Sequence, residues 1–190
     1  MSNPVIQNIH ERRSVRLFDP KTLPQDILET LINSGNRAPS GMNTQGWRFV
    51  VVQSAEARAK LSAAALPRYK TWLAAASPEV QTRRAKVDVI VDDPVYYNAP
   101  VVLFVIGTGT MTQDYDCPMA CENIMLAARS LDIGSCWVYF GLKALEEPSI
   151  KEMLGIKPTE KAFGPILLGY PKANYFPDAP PKKPADITRL

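Results

Sequence analysis

The chain has 190 residues, of which 46% are hydrophobic and 22% are charged, and its net charge is +3. These values suit one globular domain or one subunit of an obligate oligomer, and the small net charge gives no indication of nucleic-acid binding. The apolar runs fall far short of the ~20 residues that a membrane-spanning helix needs. Because the N-terminal residues lack a basic region followed by an apolar stretch, we expect a cytoplasmic protein that does not bind membranes.

The first half of the chain predicts helices, a polar loop and one buried strand. Pro4 indicates the start of a helix with an apolar face, which should end near Ser14. Thr22 and Gln25 have the spacing of a capping box and predict a second helix, which ends at Gly35. The further elements predicted in this half are the loop Ala38–Gly46, the strand Arg48–Val52, the helix Ser54–Leu66 and a helical stretch that begins at Pro78.

In the second half, the most distinctive element is a long helix over Asp116–Leu131 that is apolar on most sides. Such a helix is buried, either in a core or in a subunit interface. The other predicted elements are the strands Ala99–Ile106, Ser135–Phe140 and Phe163–Leu168 and the short helix Pro148–Leu154. The order of helices and strands predicts an α/β or α+β sheet covered by helices.

The last segment, residues 171–190, is rich in proline and has few apolar side chains. It cannot bury much of itself, so it is either disordered or an arm laid on another surface. We therefore predict a single domain over residues 1–170, followed by an extended arm over residues 171–190.

The three cysteines, Cys117, Cys121 and Cys136, indicate reduced thiols, because their number is odd and no export signal is visible. Cys117 and Cys121 would share one face of the long helix. A metal site would need two further ligands, and the single histidine, His10, is distant in the sequence. Burial in a core is therefore favoured over metal binding, and we predict no metal.

Signatures of several enzyme classes are absent from the sequence. It contains no G-x-S-x-G nucleophile motif, no G-x-x-x-x-G-K-[ST] phosphate loop and no G-x-G-x-x-G fingerprint. A single histidine cannot be assumed to serve as a base. If the protein is an enzyme, its chemistry therefore belongs to a bound cofactor.

The first candidate binding segment lies at the end of the first predicted helix and combines Arg12, Arg13, Ser14 and Arg16. Guanidinium forks match phosphate oxygens in pairs, and a serine hydroxyl adds a donor. The alternative is a solvated basic turn, and the spacing alone favours that alternative.

The second candidate is the loop from Ala38 to Trp47, which carries Ser40, Asn43 and Gln45 between a helix end and a buried strand. Amide side chains offer donors and acceptors together, as the edge of a heterocycle requires. The alternative is a polar connection built from Asx turns.

The third candidate follows the long helix and comprises Gly134, Ser135, Cys136 and Trp137. A glycine at this point lets backbone N–H groups approach a ligand closely. The alternative is a helix end that enters a strand, with Trp137 in the core.

Together, the three segments resemble the nitroreductase family of flavoproteins. The matching motifs are Arg-Arg-Ser-x-Arg at residues 12–16, Ala-Pro-Ser-x-x-Asn-x-Gln-x-Trp at residues 38–47 and Gly-Ser-Cys-Trp at residues 134–137. The stretch Ile166–Pro171 is also similar to the sequence that ends the domain in that family. The resemblance covers nearly the whole chain.

The resemblance implies an α+β fold with a mostly antiparallel central sheet flanked by helices. It also implies an intertwined homodimer, in which the C-terminal arm packs on the partner subunit and FMN binds at the interface. NAD(P)H would be the transient electron donor. A hydride would pass from NAD(P)H to FMN, and in a second half-reaction to a small acceptor such as a nitroaromatic compound or a quinone.

The resemblance also implies the residues of the cofactor site, with no catalytic side chain beyond the flavin. Those expected at the phosphate are Arg12, Ser14 and Lys182, with Arg13 nearby. Arg16 would lie near N1 and the C2 carbonyl of the flavin. Those expected from the partner subunit are Pro39, Ser40 and Asn43, with Gln45 in support. The backbone of Trp137, Val138 and Tyr139, next to Gly134 and Ser135, would face the flavin N5 and O4 edge.

Two positions depart from the family pattern. Gly46 stands where the family usually has a proline before the tryptophan, and Asp132-Ile133 stands where it favours Gly-Leu before the glycine. Residues 67–97 match no motif of the family, and we expect them to cover the flavin and select the acceptor. Alternatives include another flavin reaction on the same fold, such as enone reduction or dehalogenation, a non-catalytic flavin-binding or redox-sensing protein, and a plain basic binding module.

Overall fold

A computed structural model of the protein describes residues 3–88 and 90–190. Its helices are α1 (Pro4–Glu11), α2 (Gln25–Gly35), α3 (Ala55–Ala75), α4 (Pro78–Asp88), α5 (Gln113–Ser130) and α6 (Pro148–Met153). Its strands are β1 (Trp47–Val52), β2 (Val101–Gly107), β3 (Gly134–Trp137) and β4 (Lys161–Gly169). Short 3-10 helices cover Gly41–Asn43, Tyr139–Glu146 and Lys172–Asn174. Within these ranges, no helix is both long enough and apolar enough to span a bilayer.

In the described residues, the sheet has four strands in the order β1-β2-β4-β3, and every neighbouring pair is antiparallel. β2 is buried along its whole length because helices cover both faces of the sheet. Its residues Val102, Phe104 and Ile106 pack in a core with α3, while Val101, Leu103 and Val105 pack in a second core with α2 and α5. Burial on both faces explains why the strand is a continuous apolar run. The predicted α+β layered fold is confirmed.

Helix α5 is confirmed as a buried element, and its buried face belongs to the core of the protomer. Cys117, Cys121 and Ile124 are fully buried on this face, against α2 and the sheet. Burial raises the pKa of Cys117 to about 12, and it also raises the pKa of Cys121 and of Cys136 on β3. The three free thiols are therefore packing groups rather than reactive thiolates.

Two helix boundaries differ from those predicted in the N-terminal region. The side chain of Asn3 caps α1, but this helix ends at Glu11 rather than near Ser14. The chain becomes extended there because the Val15 N–H donates to the carbonyl of Ser135 on β3, at 2.9 Å. The predicted capping box was wrong, because Pro24 occupies the N-cap position of α2 and Gln25 is its first residue.

Three further boundaries moved because tertiary contacts override local signals. α3 continues through Pro67 to Ala75. In this extension, Arg68 forms one ion pair with Glu146, the last residue of the 3-10 segment Tyr139–Glu146, and another with Glu147, which follows it. α5 begins three residues before the predicted start, at Gln113. β3 ends at Trp137 rather than Phe140, because the chain turns into that 3-10 segment.

The C-terminal segment leaves β4 and returns to the end of α1. Phe176 packs beneath the guanidinium of Arg129, whose Cζ lies 4.6 Å from the ring centroid. Residues Pro177 to Pro180 and Lys182 line a cleft together with the last turn of α1. The beginning of this segment therefore lies on its own protomer.

Candidate functional site

Strand β3 holds the basic segment that follows α1. Ser14 forms a parallel bridge with Ser135, and the Val15 side chain is buried against the strand with 1% exposure. Because neighbouring side chains of an extended segment point to opposite sides, burial of Val15 turns Ser14 and Arg16 outward. A Cβ atom at Gly134 would lie only 2.9 Å from Val15 Cγ1, so glycine is what permits this close approach.

The outward side chains line a cleft of about 680 Å³, a volume within the range of small-molecule and cofactor sites. The predicted phosphate-binding residues that meet here are Arg12, Arg13, Ser14, Arg16 and Lys182. Among the described residues of the lining, the one carboxylate is that of Asp178. The cleft thus brings the start and the end of the chain together and has an excess of cationic side chains.

The three arginines of the cleft differ in what they already bind. Arg12 forms an ion pair with Glu122 of α5, with Nε and Oε1 3.1 Å apart. Arg13 donates to the carbonyls of His10 and Arg12, the latter at 2.9 Å, at the C-terminal end of α1. Arg16 is exposed and makes a longer contact, 3.3 Å, with the carbonyl of Ser14. Arg16 is therefore the most available of the three for a ligand.

A second, smaller cavity of about 160 Å³ adjoins the cleft, because Arg16 lines both. The predicted segment Trp137, Val138 and Tyr139 forms one wall of this cavity. Its other lining residues are Tyr69, Trp72, Arg84, Pro94, Val95, Tyr97 and Phe140. Most of these belong to residues 67–97, for which the sequence offered no motif. In the amino-acid sequence, only the aromatic and basic character of these residues distinguished them.

Positive charge converges on this end of β3. Burial raises the pKa of the Cys136 thiol, whereas the charges of Arg16, Arg12 and Arg84 act on it in the opposite direction. Arg12 and Arg16 line the cleft beside this strand, and Arg16 and Arg84 line the second cavity together with Trp137. Such a field favours an anionic ligand, or a ligand that gains negative charge during a reaction.

Gly134 and Ser135 are at the same strand but face inward. Both are buried, and Ser135 is 2% exposed. Neither lines the cleft or the second cavity among the described residues. Their positions give them a packing role beneath the basic segment.

The loop at residues 38–46 lies apart from the cleft within one protomer. Pro39, Asn43 and Gln45 are exposed, and the Gln45 N–H donates to Ser40 Oγ at 2.9 Å. Its contacts are with the region before and within α5, where the Gly41 N–H approaches the carboxylate of Asp116 at 3.3 Å. The structure therefore brings Arg12–Arg16 and Lys182 together but leaves the second predicted segment separate from them.

This loop contains three residues with a positive φ, since Met42, Asn43 and Gln45 have φ values of 51°, 55° and 47°. Gly46 follows in the place of the proline that the family pattern favours. A Cβ atom at Gly46 would lie 2.4 Å from Thr110 Cγ2, so the threonine fills the space that a larger residue would need. Thr110 and Gly46 together account for this departure.

The α+β fold places a cationic cleft beside an aromatic-walled cavity, an arrangement that fits a phosphate-bearing cofactor with a planar ring. The model of the family described as "Nitroreductase family" matches residues 9–170. A protein of Archaeoglobus fulgidus named as an NADH dehydrogenase/NAD(P)H nitroreductase is 32% identical over 169 residues, which are 88% of this chain and 85% of that protein. The chain belongs to the nitroreductase family.

Solved structures give the same result for the fold. A nitroreductase with bound FMN from Bacteroides fragilis is 29% identical, with a TM-score of 0.77 and complete coverage (100%) of both chains. A nitroreductase with bound FMN from Desulfitobacterium hafniense is 26% identical, with a TM-score of 0.80 and the same 100% coverage of both chains.

Proposed function

We propose that the protein is an FMN-dependent oxidoreductase that transfers a hydride from NAD(P)H to a small electron-poor acceptor, such as a nitroaromatic compound or a quinone. The observation that carries the proposal is the cleft in which Arg12, Arg13, Ser14, Arg16 and Lys182 meet. Its cationic and hydroxyl donors fit a phosphate monoester, and it opens on an aromatic-walled cavity that suits a planar ring. When bound, FMN would supply the ring that accepts and returns the hydride.

Each group of residues has a distinct task in this proposal. Arg12, Ser14 and Lys182 bind the phosphate, with Arg13 in support. Arg16 lines both the cleft and the second cavity, so its charge stabilises the negative charge that a flavin gains on reduction. The segment Trp137–Tyr139, with Gly134 and Ser135 behind it, supports the ring edge. Residues 67–97 cover the ring and select the acceptor.

The working unit in this proposal is a homodimer. Pro39, Ser40, Asn43 and Gln45 would reach the ring from the partner subunit, which accounts for their distance from the cleft within one protomer. α1 supports the same view, because none of its residues is buried and Val5, Ile6 and Ile9 are 65%, 55% and 49% exposed. The C-terminal residues beyond the cleft, within the arm 171–190, would pack on the partner. The free thiols are consistent with a cytoplasmic protein.

The absorption spectrum of the purified protein is the first test. We expect bands of oxidised flavin, release of FMN on denaturation, and bleaching by NADH or NADPH under anaerobic conditions. Reoxidation should follow addition of a nitroaromatic compound, a quinone, an enone or a halogenated phenol, and the relative rates identify the acceptor class. A colourless protein that does not bind added FMN would refute the proposal. Bleaching without reoxidation by any of these acceptors would indicate a redox-sensing protein instead.

A further inference from the structure

A largely buried arginine on α4, Arg84, lines the second cavity and contacts the residue that faces Arg16. The Arg84 side chain is 17% exposed and lies between α3, α4 and the segment that precedes β2. Its Nε donates to the Tyr69 hydroxyl at 2.7 Å, and its Nη2 donates to the Pro94 carbonyl at 2.7 Å. Asp88 compensates its charge, with Nη2 and Oδ1 3.1 Å apart. A buried guanidinium requires partners of this kind.

The fourth partner of Arg84 is Tyr97, whose ring faces Arg16. Arg84 Nη1 donates to the Tyr97 hydroxyl at 2.8 Å, and Tyr97 is 5% exposed. The Cζ atom of Arg16 lies 5.8 Å from the centroid of the Tyr97 ring, within the range of a cation–π contact. Arg84 therefore holds the hydroxyl end of a ring whose face meets the guanidinium of Arg16.

The backbone of Tyr97 also indicates that its position is imposed by its surroundings. Tyr97 and Asn98 both have a φ of 54°, a conformation that costs free energy for residues other than glycine. The Tyr97 N–H donates to the Asp93 carbonyl at 2.8 Å. A strained residue that is held by a buried hydrogen-bond network marks a place where geometry is over-determined.

We propose that Arg84, acting through Tyr97, is a positioning residue that fixes the Arg16 guanidinium at the ring end of the cofactor site and thereby tunes the reduction potential of the bound flavin. The inference rests on the proposed function of Arg16. Arg84 donates to Tyr69, Tyr97 and Pro94, and it acts by holding Tyr97 in place. Burial lowers the pKa of Arg84, but the hydrogen bonds to Tyr97 and Tyr69 act in the opposite direction and the net pKa is raised.

The structure provides a matched pair of variants. Tyr97→Phe removes the hydroxyl that Arg84 holds and retains the ring that faces Arg16. Tyr69→Phe removes the other tyrosine hydroxyl bound by Arg84, which also donates to Asp88 Oδ2 at 2.5 Å, but Tyr69 has no described contact with Arg16. The two changes delete the same atom type from the same network, so both should lower thermal stability to a similar extent.

Redox titration of the FMN-loaded variants tests the inference. We expect Tyr97→Phe to shift the oxidised–reduced equilibrium about threefold toward the oxidised form, which is about 14 mV for a two-electron couple. Tyr69→Phe should shift the potential less than Tyr97→Phe does, because only Tyr97 faces Arg16. In the Arg16→Ala background, the further change Tyr97→Phe should have no effect, because the two residues act as one unit.

The outcomes separate this inference from the proposed function. A shift for Tyr97→Phe that persists in the Arg16→Ala background, or one that Tyr69→Phe reproduces, would overturn the positioning role. If Tyr97→Phe does not fold, Arg84→Lys retains the charge but cannot hold both hydroxyls, and the same loss of potential is expected from it. A parent protein that does not bind FMN would refute the proposed function itself, whereas an altered Kd for FMN with an unchanged potential would refute the positioning role alone.

Discussion

At the residue scale, Arg12 is already engaged before a ligand arrives. Its side chain is 29% exposed and its partner Glu122 is 45% exposed, so their ion pair is solvated. A pair of this kind contributes about 0–1 kcal/mol. A phosphate group can therefore recruit Arg12 at little cost, and Ser14 presents its hydroxyl to the same cleft.

We expect Arg12→Ala and Ser14→Ala each to weaken FMN binding by about 1–3 kcal/mol, because a charge-assisted hydrogen bond is lost. Titration of the apoprotein with FMN, followed by fluorescence quenching, measures this. Arg37→Ala is the control, since Arg37 is exposed and does not line the cleft. If both Arg12→Ala and Ser14→Ala bind FMN with the affinity of the parent protein, this segment does not bind the phosphate.

Arg16 belongs to both cavities, and its effect should therefore be on reduction more than on binding. We expect Arg16→Ala to lower the flavin midpoint potential, because the negative charge of the reduced flavin loses about 1–3 kcal/mol of stabilisation. The variant should also take up hydride more slowly. Redox titration at saturating FMN measures the potential directly. If Arg16 only binds phosphate, the affinity will fall while the potential stays at the parent value.

At the scale of elements, a bidentate ion pair ties β1 to the turn that leads into β4. Arg48 on β1 reaches Glu160 through Nε at 3.0 Å and Nη2 at 2.6 Å, and Glu160 is 6% exposed. These hydrogen bonds, with a smaller contribution from the Lys157 N–H, hold the pKa of Glu160 at about 2 despite burial, below its ordinary value of 4.5. Because β2 lies between β1 and β4, the pair spans β2 and ties β1 to the turn before β4.

The depressed pKa predicts the direction of a pH effect on stability. The stabilisation is complete above pH 4.5, where the unfolded carboxyl is also ionised, and is lost as the pH falls toward 2. We expect Glu160→Gln to lower the free energy of unfolding by about 1–2 kcal/mol at neutral pH and to reduce its dependence on pH in that acidic range. Denaturant unfolding across pH measures both. Glu56→Gln is the control, because its pair with Lys60 is exposed, and an equal effect in that variant would contradict the assignment.

Several elements could be read from the sequence because their signals are local. The apolar run of β2 and the apolar faces of α2 and α5 are properties of neighbouring residues, and they predicted these elements with small errors at the ends. The end of α1 and the length of β3 were mispredicted because they depend on each other. The helix ends before Arg12, because Val15 in the extended chain that follows pairs with Ser135, which is more than a hundred positions away.

At the scale of the whole molecule, one protomer holds only part of the proposed site. A second copy of the chain in the proposed dimer would cover the exposed apolar face of α1. It would also bring the loop at residues 39–45, which lies apart from the cleft of its own chain, to a site. We expect a homodimer with an apolar interface well above the ~1,600 Å² of a standard complex. α1, whose Val5, Ile6 and Ile9 are exposed, offers an apolar face for this interface.

Charged substitutions on α1 test the dimer. Ile6→Glu and Ile9→Glu should convert the protein to monomers and lower its FMN content, because a carboxylate would be buried at the interface. Light scattering and the ratio of flavin to protein absorbance measure the two effects. Met153→Glu on α6 is the control at another exposed apolar residue, 36% exposed. A parent protein that is a folded monomer would contradict the assembly.

Deletion of residues 171–190 tests the arm. We expect this truncation to reduce FMN retention, because Lys182 and the wall formed by Pro177–Pro180 are removed from the cleft. It should also weaken the dimer if the last residues pack on the partner. The variant Lys182→Ala separates the two effects, since it removes one cation and keeps the arm. Full FMN binding by the truncated protein would exclude the arm from the site.

The sequence by itself determined the layered α+β class and the family, and it predicted Arg12–Arg16 and Trp137–Tyr139 as binding segments, because hydrophobic periodicity and short motifs are encoded by residues close together in the chain. Only the tertiary structure decided that Gly134 packs on Val15, and that Lys182 lines the same cleft as Arg12. It also placed Tyr97, whose hydroxyl is held by Arg84, next to Arg16. These relations join residues that are distant in the chain, and no periodicity reports them. They arise when β3, the end of α1, α4 and the C-terminal segment pack at one edge of the sheet, where burial and hydrogen bonding determine which side chains meet.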